Sequence, residues 1–207
     1  MILQVHPENP EKRYVQQILD GIRDGRIFIL PTDTVYAFVC DLDAPRAINE
    51  LYRLKNLSEK HPLSLLCRDV AMASHYARSI PQAVFRFMKS HTPGPYTFIL
   101  NANRMMDRRG MGRKKEVGIR IVDHPLHRAL MEQLDTPLVS TSITMEAEFT
   151  TDPEDLERLY GHDVAAVVDG GIRAHEYSTI LDCRPDPLIL MREGIGTVDD
   201  LEFVRQE

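Results

Sequence analysis

The chain has 207 residues, 43% hydrophobic and 27% charged, a balance that excludes a largely disordered polypeptide and supplies enough apolar side chains for one filled core. A formal charge of −6 excludes a nucleic-acid binder working through an overall basic surface, although local basic clusters remain available. No apolar run approaches the roughly eighteen residues needed to cross a bilayer, and "MILQVHPENPEKR" carries no leader pattern, so a cytoplasmic protein with no membrane partner is expected.

In chain order, Val15, Ile18, Leu19 and Ile22 recur at helical spacing and predict a helix over 11–25, stopped by Gly25 and feeding a strand at 27–30. Ala47, Ile48, Leu51 and Leu54 predict a second helix over 45–55, with Asp43 as its expected cap and Lys55 at its end. A strand is expected at 63–67, short helices at 70–78 and 82–89, a rigid turn at "TPGP" (92–95) and a strand at 96–100. Strands at 117–122, 138–140, 164–168, 179–181 and 188–191 follow, with helices at 126–134 and 154–160. Strands and helices alternate only loosely. The pattern predicts an α/β fold of mixed α+β character, an open twisted sheet with parallel and antiparallel pairs flanked by helices, in a single domain over 1–207.

Cys40, Cys67 and Cys183 are far apart and each lies in or beside an apolar run, which suggests buried thiols and argues against zinc. In "LPTDTVY" the proline removes a ladder donor, so Thr32, Asp33 and Thr34 are released at the C-terminal end of a strand, where open α/β sheets bind ligands. A turn closed by its own side chains explains the same residues equally well. Lys55 is a point charge suited to phosphate, or else the ordinary complement of a helix dipole. "STS" at 140–142 places hydroxyls at another expected strand exit, an anion pocket or a plain turn. The basic stretch "RMMDRRGMGRKK" (104–115) reads first as a solvated connection. G-x-S-x-G, P-loop, G-x-G-x-x-G and C-x-x-C motifs are all missing, which removes support for covalent catalysis, a Walker phosphate loop and a Rossmann cofactor.

Taken together and in order, "PTDTVYAFVCDL", "LYRLKNLSEKHPLSLLC", "TPGPYTFIL", "VGIRIVDHPLHRALME", "PLVSTS", "STILD" and "LILMREGIG" resemble the YrdC-like family, in particular its YciO branch, from about residue 27 to 196. The resemblance implies a YrdC-like sheet with a concave, positively lined face. It also implies kinship with the L-threonylcarbamoyladenylate synthases, nucleotidyltransferases that join threonine, bicarbonate and magnesium-bound ATP, release pyrophosphate and serve the threonylcarbamoyladenosine modification of tRNA. Those enzymes line the nucleotide with a lysine and an arginine two apart and a serine and an asparagine two apart. Here Lys55 and Ser140 fill the catalytic lysine and serine positions, while Leu57 and Ser142 replace the arginine and asparagine. Thr32, Thr34, Arg120, Ser178 and Arg192 match positions that the family keeps at the substrate side or in its core, structural ion pairs being an equal reading for the arginines. Asp33 and His61 stand at motif positions but receive no catalytic role. The alternative implied is a protein binding double-stranded RNA, tRNA or the ribosome without synthase activity, through Arg108, Arg109, Arg113, Lys114 and Lys115. No metal held by protein ligands is expected.

Overall fold

The computed structural model describes residues 1–56, 63–106, 115–143 and 150–205. After the edge strand β1 (Ile2–Gln4), the first helix α1 (Lys12–Arg23) buries Val15, Ile18, Leu19 and Ile22, the stripe read from the sequence. Gly25 at φ +74° turns the chain out of it into β2 (Phe28–Leu30), a fully buried strand. Pro31 ends β2, and the chain returns antiparallel as β3 (Ala37–Asp41), with Ile29 opposite Phe38. The helix α2 (Pro45–Leu54) follows. Its N-cap is Ala44 with no side-chain bond, which corrects the expected Asp43 cap. Pro at the first helical position has no N–H to satisfy, so the cap is less needed there. Lys55 closes the helix with its N–H on the Leu51 carbonyl, and Asn56 at φ +48° completes the stop.

Next come β4 (Ser64–Leu66), α3 (Val70–Ser74), α4 (Gln82–His91), β5 (Tyr96–Asn101), the single turn α5 (Arg104–Met106) and β6 (Glu116–Arg120). The expected helix to residue 78 stops at Ser74, because Ala77 forms a bridge with Ala102 and the Arg78 N–H goes to the Asn101 carbonyl. The chain continues through α6 (Pro125–Met131), β7 (Leu138–Ser142), β8 (Thr150–Thr151), α7 (Pro153–Tyr160), β9 (Ala166–Asp169), β10 (Arg173–Ala174), β11 (Thr179–Asp182), β12 (Leu188–Arg192) and β13 (Phe203–Arg205). Strands β1, β3, β8, β10 and β13 were not among the expected elements.

Eleven of the strands form one mixed sheet in the order β1-β9-β2-β3-β7-β4-β6-β5-β11-β12-β13. Parallel pairs such as β4 with β6 and β5 with β11 adjoin antiparallel pairs such as β3 with β7 and β5 with β6, as the sequence pattern predicts. In the middle of the sheet, Leu65, Val139, Ile119, Phe98 and Leu181 are buried in the apolar core. Because side chains alternate between faces, their neighbours Ser64, Ser140, Gly118, Arg120, Thr97, Ile99 and Ile180 emerge on the opposite face. The three cysteines are buried and unbridged. Among the described residues no helix is long and apolar enough to cross a membrane.

Candidate functional site

That opposite face is concave and forms a cleft of about 450 Å³, lined by Lys55, Ser64, Thr97, Gly118, Arg120, Ser140, Thr141, Ser142, Ser178 and Arg192 with Leu63, Ile99, Ile180 and Met191. Its volume lies within the roughly 300–1,000 Å³ usual for small-molecule sites. The site therefore sits on a sheet face, whereas the sequence pattern pointed to the edge at the strand ends. Ser140 to Ser142 likewise belong to β7 and do not follow it: Ser142 stands opposite Ala37, and Ser140 opposite both Val39 and Ser64. Their backbone groups lie within the ladders and are not freed for an anion. The two-residue spacing of Ser140 and Ser142 is what brings both side chains to the cleft. Gly118 leaves room on the cleft floor for the Ser64 hydroxyl, since a Cβ there would lie 2.8 Å from Ser64 Oγ.

Among the described residues, the cations Lys55, Arg120 and Arg192 line this cleft and no acidic side chain does. Arg120 is buried. Its Nη2 donates to Asp33 Oδ1 at 2.7 Å and to Thr34 Oγ1 at 3.0 Å, while its Nε is buried without a partner among the described residues. Burial pushes the Arg120 pKa down and the Asp33 carboxylate works against that fall. Arg192 donates from Nε to the Ser178 carbonyl at 3.0 Å and from Nη2 to Ser178 Oγ at 3.1 Å, and stacks over the Tyr177 ring. Burial first, and the like charge of Arg120 second, lower its pKa as well. Two arginines in one cleft, with no carboxylate lining it among the described residues, make a surface that an anion stabilises. Ser178 Oγ also meets Thr97 Oγ1 at 2.9 Å, which fixes its rotamer.

The "PTDT" turn stands behind this surface. Thr32 is fully buried, donating to the Val35 carbonyl at 2.5 Å and accepting the Thr34 N–H at 3.0 Å. Thr34 is buried against Arg120, and Asp33 Oδ2 accepts the Asp123 N–H at 3.2 Å. Neither threonine is among the cleft's lining residues; the turn orients Arg120, which lines it. Sequence reasoning thus finds Lys55, Ser140, Ser142, Arg120, Ser178 and Arg192, all of which the fold brings to one cleft, and misses Ser64, Thr97 and Gly118. A signal for those three existed: each interrupts an apolar strand, in "PLSLLC", "YTFIL" and "EVGIRI". Leu57, Lys60, His61, Arg108, Arg109, Arg113 and Lys114 lie outside the described residues. Lys115 is exposed just before β6. Among the described residues no group of three His, Cys, Asp or Glu is placed to hold a metal ion.

The family model described as "Telomere recombination", for Sua5, YciO and YrdC, matches residues 20–194, and the chain belongs to that family. Escherichia coli YciO is 34% identical over 197 residues, spanning 94% of this chain and 95% of its own. Its crystal structure superposes with a TM-score of 0.89 at 32% identity, over 98% of this chain and 99% of that one. The threonylcarbamoyl-AMP synthase of Vibrio vulnificus is 27% identical over 184 residues, 87% of this chain and 98% of its own. P. abyssi Sua5, solved in complex with L-threonine, shares the fold with a TM-score of 0.83 at 22% identity, over 99% of this chain and 62% of that one.

Proposed function

We propose that the cleft binds magnesium–ATP and that the protein is an ATP-cleaving enzyme of the threonylcarbamoyladenylate synthase type. The observation that carries this reading is the convergence of Lys55, Arg120 and Arg192 with a set of hydroxyls on one sheet face, with no lining carboxylate among the described residues. Relatives named threonylcarbamoyl-AMP synthase support the choice of reaction. In that reaction a threonine carbamate, formed from threonine and bicarbonate, attacks the α-phosphate; the new bond is carbamate oxygen to phosphorus, the bond to the β-phosphate oxygen breaks, and pyrophosphate leaves. The protein's task is to hold the triphosphate in line and neutralise the charge developing on the leaving group. Lys55 supplies a point charge for the phosphates, Arg192 and Arg120 supply guanidinium donors, and Ser140 and Ser142 offer hydroxyl donors beside them. Magnesium arrives with the nucleotide as part of the substrate.

Isothermal titration with magnesium–ATP tests the assignment. Wild-type protein is expected to bind, and Arg192→Gln to bind about tenfold more weakly or worse, the usual effect of losing a charge-assisted hydrogen bond. Equal affinity in the variant, or no heat of binding to folded wild-type protein, removes the nucleotide from this cleft.

A further inference from the structure

A second group of donors lies beyond the cleft's lining, where β2, β9 and β6 end. Gly170 lets the exit of β9 press against that of β2, since a Cβ there would sit 2.4 Å from Pro31 Cβ. Gly171, at φ +77°, then turns the chain. Tyr36 holds this turn, its hydroxyl accepting the Gly170 N–H at 2.8 Å and donating to the Gly171 carbonyl at 2.8 Å. The turn delivers β10, in which Arg173 is paired with Thr151 of β8. Arg173 Nη2 thereby comes to 3.4 Å from Nε2 of the buried His124.

This contact lacks an acceptor. The other ring nitrogen of His124, Nδ1, faces the Leu126 N–H at 3.2 Å. A neutral imidazole has one N–H and one lone pair, so it cannot accept from both Leu126 and Arg173; protonation removes even the single acceptor. With Nδ1 serving as the helix cap, His124 Nε2–H points at a guanidinium that only donates. Arg173 Nε is in addition buried without a partner among the described residues. Among the described residues no carboxylate lies within salt-bridge distance of Arg173; Asp33 and Asp123 act electrostatically on His124, Asp169 and Asp152 act with Arg173 on Tyr36, and Asp33 is already engaged by Arg120 and the Asp123 N–H. Nε and Nη2 form one edge of the guanidinium, the fork that takes two oxygens of a carboxylate or phosphate at once.

We propose that this edge of Arg173, with His124 Nε2–H beside it, is a binding site for an oxyanion, a carboxylate or a phosphate group. One oxygen placed between Arg173 Nη2 and His124 Nε2 turns the donor–donor contact into two hydrogen bonds, and a second oxygen satisfies Nε. The site does not depend on nucleotide binding in the cleft and is tested without ATP.

The test is a titration of histidine-labelled protein with sodium acetate and, separately, sodium phosphate, at fixed ionic strength with chloride as reference, following the His124 ring resonance by NMR. That resonance is assigned by its loss in His124→Gln. The expected result is a saturable shift with at least one of the two anions and none with chloride, and a midpoint about tenfold higher or more in Arg173→Gln. Arg173→Lys, which keeps the charge but not the fork, is expected to fall between them and serves if the Gln variant does not fold. The anion with the lower midpoint identifies the group the site takes. A linear response matching that of chloride, or wild-type midpoints in both Arg173 variants, overturns the proposal.

Discussion

Replacing Asp33 with alanine removes the carboxylate that, among the described residues, pairs with the buried guanidinium of Arg120. The side chains of the pair are 4% and 8% exposed, Arg120 and Asp33 respectively, so the cation left behind is poorly solvated. Breaking such a pair from one side costs about 3–5 kcal/mol. Thr34 Oγ1 stays at 3.0 Å and the cleft admits some solvent to Arg120, which places the expected loss near the lower end, about 3 kcal/mol. For a chain of this size that corresponds to a fall in Tm of about 6–12 °C. Urea unfolding at pH 7 measures it, with Glu193→Ala as reference: that change breaks the Arg205–Glu193 pair, in which both side chains are 63% exposed, and should leave the curve where it was. The double change Asp33→Leu with Arg120→Met should recover part of the loss, because no charge is then buried alone. An Asp33→Ala midpoint indistinguishable from that of Glu193→Ala would refute the reasoning.

Other consequences follow from the same geometry. His124 and His127 are buried, and loss of solvation holds both pKa values down to about 4, with His127 and Arg173 adding to the effect at His124. The unfolded chain binds these protons more readily, so the stability they contribute is complete above about pH 6.5 and is lost as pH falls toward about 4. His127→Gln, which keeps a donor for the Pro31 carbonyl, should flatten that part of the pH profile in thermal melts; an unchanged slope would show that His127 does not titrate there. Gly118→Ala places a methyl against Ser64 Oγ on the cleft floor; since a side-chain hydroxyl can rotate away, the Tm should move little while magnesium–ATP affinity falls, and equal affinity would place the nucleotide elsewhere.

Chemistry-bearing residues were legible where the chain leaves apolar periodicity abruptly: Lys55 at a helix stop, the hydroxyls of "STS", Arg120 in "GIRIV". What periodicity could not supply was their common orientation. Residues 37–41 are buried almost throughout, because β3 is paired with both β2 and β7, so they show no alternation to mark a strand. Without β3 there is no register partner for Ser140 and Ser142, and the serines read as a strand exit when they are in the strand. Thr32 and Thr34 were legible as a special turn, but that their hydroxyls serve Arg120 and the turn itself depends on β6 approaching β2 from far along the sequence. Arg173 carried no local signal, for its position is set by the Gly170–Gly171 turn and by Tyr36, more than a hundred residues earlier in the chain.

The central claim, that the sheet face is an adenylate-forming site, is tested most directly by measuring pyrophosphate and AMP release from magnesium–ATP with and without L-threonine and bicarbonate, on wild-type protein and on Lys55→Ala. Losing one preorganised charge of this kind typically lowers the rate by about 10²–10³. The account predicts pyrophosphate release that depends on threonine and bicarbonate and falls by about that factor in the variant. No release from folded wild-type protein, or release that Lys55→Ala leaves untouched, would contradict it.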